Sequence, residues 1–279
     1  MNSGRSSIRS GLAERALQQA VAALHAGHAD QAEWLAAEAV RANPSDARAQ
    51  HVLGHALLLQ GRAEEAIGPL EQAARRIRDP AVETQLAVAL RQSGRDEEAL
   101  ARLTRAVKRR PPFPPAYLEL GNLLAALGRS DEAIEVLQQA VAIAPRMGEA
   151  SVQLGFVHAA RGQSDQAREW LLRGLAEQPR DPDALFVLAQ LTQAKCDFSG
   201  AAELYRRVLA LAPDDAASRL GLGVCLLELG QTAAAFEHIS AAANSSARMF
   251  GEALTALAAA GHGRFWLRPS DAARALKQG

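Results

Sequence analysis

Aromatic residues make up only 4% of this chain of 279 residues, cysteine occurs twice, and the charges cancel at 31 basic against 31 acidic. Each scarcity excludes something. Cys196 and Cys225 have no metal-type spacing and are too few for a disulfide framework, so both are expected to be structural. Cys196 stands where a turn glycine belongs and Cys225 lies mid-helix among apolar residues. This usage fits a reducing compartment, and a cytoplasmic location is expected. A net charge of zero supplies no field for nucleic acid or an anionic membrane. No run approaches the ~18 apolar residues that a membrane-spanning helix needs. Residues 1–11, rich in Ser, Gly and Arg, lack the apolar centre of a secretory signal and are expected to be a disordered tail. Alternation of the β-strand kind is also missing, and an all-α chain is predicted.

What is present is repetition. The stretch from Gly128 to Pro145 recurs with substitutions at Gly27–Pro44, Gly61–Arg78, Gly94–Pro111 and Gly162–Pro179. Ala32, Ala66, Ala99, Ala133, Ala167, Ala201 and Ala235 mark one register, stepping by 34 residues except for the 33 between Ala66 and Ala99. Within a unit, Leu120, Leu124 and Leu127 lie at helical spacing, as do Ala133, Leu137 and Ala140. Small residues (Gly54, Ala87, Gly121, Gly155, Ala189, Gly223) recur where two helices of a pair would touch. One pair cannot bury its apolar face alone, so stacking against neighbours makes the core.

This period, with Tyr117, Leu120, Gly121, Leu124, Ala133, Leu137, Ala140 and Pro145 at the expected sites, resembles the tetratricopeptide repeat, a helix–turn–helix unit. The resemblance covers roughly residues 12–246 and implies a right-handed α-solenoid of about seven repeats with a partial C-terminal capping unit. The repeats divide as 12–45, 46–79, 80–112, 113–147, 148–181, 182–215 and 216–246, followed by a partial repeat and cap over 247–279. Asp79-Pro80 and Asp181-Pro182 place a capping side chain before a first-turn proline. Asp96, Asp131 and Asp165 suit the first turns of second helices. Repeat six departs most, with Cys196-Asp197-Phe198-Ser199-Gly200 in place of the usual turn.

Motifs for chemistry fail. Gly221-Leu222-Gly223 sits within a helix with no preceding strand, and no Gly-x-Ser-x-Gly elbow occurs. Glu97-Glu98 and Asp214-Asp215 fall in first turns or loops, where the helix dipole and solvation account for them. His51 and His55 have the spacing of a metal-ligating pair, with His25 and His28 one repeat earlier, but Val52-Leu53-Gly54 between them lacks the glutamate of a hydrolytic zinc helix. A polar groove lining is the expectation for them, with a metal pair as the alternative. No catalytic residue, metal or cofactor is expected, and the chain reads as a non-enzyme.

In this repeat class the first helix of each pair is expected to line the concave face. One recurring site there reads Gln18, Val52, Gln85, Glu119, Gln153, Val187 and Gly221; one turn onward stand Val21, His55, Val88, Asn122, Phe156, Gln190 and Val224. Gln85, Glu119 and Gln153 form a ladder flanked by Asn122 and Gln190, able to hydrogen-bond an extended peptide, while Phe156 and Phe186 offer apolar contact. The alternative is that these are plain solvated positions. The lysine/asparagine/arginine set that clamps chaperone C-termini in one subgroup has no counterpart among Leu17, Val21, Val52, Ala81 and Gln85, so chaperone tails are not expected as ligands. Arg109-Arg110-Pro111-Pro112-Phe113-Pro114-Pro115 matches a ligand of proline-recognition domains but occupies an inter-repeat loop, where its prolines end one helix and begin the next.

Three readings follow. The first is an interaction scaffold binding a protein or peptide in the groove. The second is the recognition arm of a tailoring enzyme (glycosyltransferase, sulfotransferase or hydroxylase) whose catalytic domain or subunit meets the C-terminal end. The third is a self-stacking structural repeat. Phe265, Trp266 and Leu267 are expected to cap the terminal apolar face, or else to begin an interface.

Overall fold

The computed structural model describes residues 2–259, with side chains over 11–257; Phe265, Trp266 and Leu267 lie outside the described residues. Among the described residues everything regular is helix. The chain divides into two compact units, residues 1–144 and 145–279. The first holds α1 (Asn2–His25), α2 (Ala29–Ala42), α3 (Ala47–Leu59), α4 (Ala63–Arg76), α5 (Pro80–Gln92), α6 (Asp96–Ala106), α7 (Pro114–Ala126) and α8 (Ser130–Ile143). The second holds α9 (Gly148–Ala160), α10 (Ser164–Glu177), α11 (Pro182–Ala194), α12 (Phe198–Leu211), α13 (Ala216–Glu228), α14 (Thr232–Ala243) and α15 (Ala247–Ala259). Odd-numbered helices pair with the even-numbered helix that follows, so the chain is a helix–turn–helix repeat solenoid.

Composition assigned 1–11 to a disordered tail, whereas α1 takes in residues 2–11. The helix is continuous with the stretch that buries Leu17, Ala20 and Ala23. Once a helix is nucleated, each further residue adds a hydrogen bond at small cost, so Ser, Arg and Gly extend what they would not have started.

The turn inside each pair is one device repeated. After Leu127 the chain reverses through Gly128 at φ 74°; the Arg129 N–H donates to Leu124 O at 2.9 Å and the Gly128 N–H to Ala125 O at 3.0 Å. This closure satisfies the last carbonyls of the first helix and needs a left-handed residue, which glycine adopts without strain. Repeat six uses the same bonds, Cys196 to Gln193 O and Asp197 to Thr192 O, but Cys196 itself takes φ 60°. A side chain there costs about 1 kcal/mol. Cys196→Gly is therefore expected to stabilise the second unit by about that amount, read as a higher urea midpoint; an unchanged or lower midpoint would show that the turn is unstrained.

Between pairs, aspartates start the next helix. Asp46, Asp79, Asp181 and Asp215 accept from the N–H groups of Arg48, Ala81, Ala184 and Ser218 at 2.8 to 2.9 Å. Pro80 and Pro182 open their helices as expected, where the missing N–H is harmless.

Within a pair, helices approach closely because a glycine faces a large apolar residue. A Cβ on Gly54, Gly121, Gly155 or Gly223 would lie 2.5 to 2.6 Å from Leu70, Leu137, Leu171 or Ile239, each sixteen residues downstream and each fully buried. In the other repeats Ala20, Ala87 and Ala189 occupy that site and are buried too. Stacking then follows. In the first unit α1 touches α3, α3 touches α5 and α5 touches α7; in the second α9 touches α11, α11 touches α13 and α13 touches α15. Among the described residues no two second helices touch each other. First helices that meet while second helices splay apart lie on the inner side of each unit.

Candidate functional site: the inner helix faces

The inner faces place the residues that the register singled out. In the first unit, His51 on α3 and Gln85 on α5 form a direct rung, with 2.7 Å between Nε2 and Oε1. An amide oxygen only accepts, so in this orientation Nε2 carries the proton. His55, one turn along α3, is half-buried; desolvation first, then the nearby His51, holds its pKa below the usual imidazole value. Burial disfavours the charged ring.

Glu119 and Asn122 stand one turn apart on the inner face of α7, and both are half-buried. Burial pushes the Glu119 carboxyl above the usual carboxylate range, against the opposing pull of Arg91. Arg91 comes from α5, with its Nη2 3.6 Å from Glu119 Oε2, too long for a hydrogen bond. Arg91 Nε, Glu119 Oε2 and Asn122 Oδ1 are all buried with no hydrogen-bond partner. The first unit thus holds three unsatisfied polar groups side by side on its inner face, and each such group costs free energy. Reading the register one repeat at a time overlooked Arg91. The signal was there: Arg91 stands three residues beyond Val88, about one turn along α5, so the stripe holding Val88 runs on to Arg91.

The second unit is different in character. Gln153 is half-buried and Gln190 exposed, and among the described residues neither makes a hydrogen bond to another inner-face group. Phe156 and Phe186 are partly buried against a core of Val152, Leu171, Leu185, Leu188 and Val208. Phe186 also meets Tyr205 edge-on, ring centroids 6.0 Å apart, and Tyr205 donates to Gln193 Oε1 at 2.9 Å. Tyr205 reaches that place because its neighbour is Gly221, where a Cβ would lie 2.4 Å from the ring. Two of the positions read as groove sites therefore serve packing: Val52 is buried, and Gly221 makes room for Tyr205. The face that remains is apolar, with Phe156, Phe186, Val187 and Leu191 half-covered.

Among the described residues no three His, Cys, Asp or Glu side chains group to hold a metal ion, and no helix is long and apolar enough to cross a membrane. Cys225 is buried, and burial first, then the charge of Glu228, pushes its thiol up to about 12, far from a reactive thiolate.

The comparisons with known proteins point one way. A family model described as the tetratricopeptide repeat protein 21 N-terminal ARM repeat matches residues 23–218, and a tetratricopeptide repeat model matches 194–250. No curated protein matches the chain. Among solved structures, PilF of Pseudomonas aeruginosa superposes with a TM-score of 0.65 at 18% identity, over 76% of this chain and 96% of that one. PilW, a type IV pilus biogenesis factor, gives 0.65 at 18%, over 78% and 98%. The Cut9–Hcn1 hetero-tetramer of the APC/C gives 0.70 at 19%, over 77% of this chain and 42% of that one. At these identities the likeness is one of fold.

Proposed function

We propose, on the premise that this chain belongs to the tetratricopeptide-repeat superfamily, that it is a non-catalytic scaffold holding an extended segment of a protein partner against the inner faces of its first helices. The observation that carries this reading is the buried polar group of Arg91, Glu119 and Asn122 beside the His51–Gln85 rung. A wall that only packed helices would hold apolar residues there. Amides and a carboxylate on successive helices suit the alternating donors and acceptors of a peptide backbone. In the second unit, taken by itself, Phe156 and Phe186 suit apolar side chains of a partner segment. Structural relatives that are components of assemblies, the Cut9–Hcn1 hetero-tetramer among them, support a scaffold over an enzyme.

The test is affinity capture with the intact chain beside a variant carrying Gln85→Ala, Asn122→Ala and Gln153→Ala. One specific protein should be retained by the unaltered chain and lost by the variant, with the two melting temperatures alike. Equal retention of every captured protein would remove the inner faces from the account.

A further inference from the structure

We propose that the cleft between two inter-repeat loops of the first unit, 77–80 and 109–113, is a second interaction site, one that takes an acidic segment of a protein partner. The cleft encloses about 640 Å³ beside Arg78, Arg109 and Arg110, with Ile77 and Phe113 as its half-buried apolar wall. It lies at the ends of α4 and α6, not on the inner face, and stands apart from the groove.

Charge accounting singles it out. Over the whole chain basic and acidic residues balance, and the usual arrangement sets an arginine beside its own glutamate. Arg62–Glu65, Arg95–Glu98 and Arg129–Glu132 are ion pairs of 2.6 to 2.7 Å, one per repeat. Arg102 and Arg105 share Glu83 at 3.4 and 3.6 Å. Among the described residues Arg78, Arg109 and Arg110 have no such partner. The acid in the cleft, Asp79, accepts from the Ala81 N–H at 2.8 Å as the cap of α5. Arg109 Nε is buried with no hydrogen bond, and Arg110 Nη1 reaches only the Arg109 carbonyl at 3.2 Å. Three arginines therefore line one opening with no carboxylate paired to them among the described residues, and a planar guanidinium fork matches a carboxylate through two parallel bonds.

The occupant is a peptide rather than a nucleic acid. A phosphodiester strand needs a basic track along several elements. At the loop one repeat earlier, 43–46, Arg75 and Arg76 stand beside Glu71, and Arg76 is spent on the Ser45 carbonyl at 3.0 Å, so the free guanidinium edges do not run on as a track. Ile77 and Phe113 suit an apolar residue flanked by acids, a pattern that a protein segment provides. The stretch Arg109-Arg110-Pro111-Pro112-Phe113, read from the sequence as an inter-repeat loop and not as a ligand, thus gains a use as a receptor.

The experiment is fluorescence anisotropy on the full chain with a labelled short peptide of alternating Asp and Glu around one leucine. Its controls are the same peptide with Asn and Gln for the acids, and a labelled oligothymidylate. The acidic peptide should bind and the amide peptide should not. Arg78→Gln with Arg110→Gln should weaken binding about tenfold, and added salt should weaken it further. Gln85→Ala should leave this binding unchanged, which separates the cleft from the inner face. If the double variant melts early, amide chemical shifts in the unaltered chain decide: movement at Arg78 and Phe113 supports the cleft, and movement only elsewhere overturns it. Equal binding of the amide peptide, undiminished binding by a well-folded double variant, or tighter binding of the oligothymidylate would each overturn the proposal.

Discussion

Gly121→Val is expected to cost about 3 kcal/mol of stability, enough to shift the urea midpoint of the first unit well below that of the unaltered chain. A Cβ at this position would lie 2.5 Å from Leu137 Cγ and 2.6 Å from its Cδ2. Leu137 is fully buried and has nowhere to turn. Interiors are close-packed, so α7 and α8 would have to part, taking with them the contacts that each makes along its length. Alanine is a milder case. Ala87 and Ala189 already stand at the same site in other repeats, and alanine returns up to about 1 kcal/mol of helix propensity over glycine. Gly121→Ala should therefore lose only a fraction of what valine loses. Leu137→Ala alone should also destabilise, by leaving a cavity. The combination of Gly121→Val with Leu137→Ala should cost less than the two losses added together, because the new methyls enter the space that the leucine left. Strict additivity, or a valine variant melting with the unaltered chain, would mean that the helices are not held at the distance described.

That contact was legible before any coordinates. Gly54, Gly121, Gly155 and Gly223 recur in one register, and only close approach of a neighbour gives a helix interior a reason to tolerate glycine repeatedly. The turn glycines and the Asp-Pro helix starts were legible for a similar reason, since each is a local backbone requirement that a single residue answers. Cys196 was marked as a departure by its place in the series, and its φ of 60° bears that out. The all-helical repeat architecture follows from the same period, which is why the fold could be read from one sequence.

The inner faces were legible only in part. His51 and Gln85 could be assigned to one face, but the rung between them joins a residue to the position one beyond its own equivalent in the next repeat. A register that lines up equivalent sites cannot foresee such a slanted pairing, which depends on the relative shift of stacked helices. Arg91 and Glu119 are further still from equivalence, since the counterpart of Arg91 in the next repeat is Ala125, six residues beyond Glu119. Nor did the register foresee that the site of Tyr117 is filled by Gln50 and Glu83 in the two preceding repeats, both buried. Gln50 donates to Pro44 O and Gln72 Oε1 at 3.2 and 3.1 Å, and Glu83 faces two arginines. A polar residue at a core site is legible as polar, while its partner on another helix is not. The extension of α1 over 2–11 was missed because composition weighs residues one by one, whereas a helix is propagated from a neighbour.

Glu119→Gln is expected to raise stability and lower affinity together. The carboxylate is half-buried, unsatisfied at Oε2 and only loosely paired with Arg91, so it is a cost to the fold. The sign follows from its raised pKa. As pH rises past the ordinary value of 4.5, the unfolded chain gives up this proton first while the folded chain still holds it. The folded state then binds more protons, stability falls with rising pH through that window, and above the folded pKa the loss is complete. Glutamine has no proton to lose, so at neutral pH the variant should melt about 3 °C higher, the shift that roughly 1 kcal/mol produces in a chain of this size. Below the ordinary carboxyl range the gap between variant and unaltered chain should close. Binding should move the other way: a hydrogen bond to a charged acceptor contributes about 1.5 to 3 kcal/mol, so affinity for the captured partner should drop about tenfold to a hundredfold. A group that costs the fold free energy and contributes nothing to binding would have no reason to stand on the inner face. A variant that melts higher and binds equally well would therefore move recognition away from α7, and one that melts lower would show that Arg91 already satisfies the carboxylate.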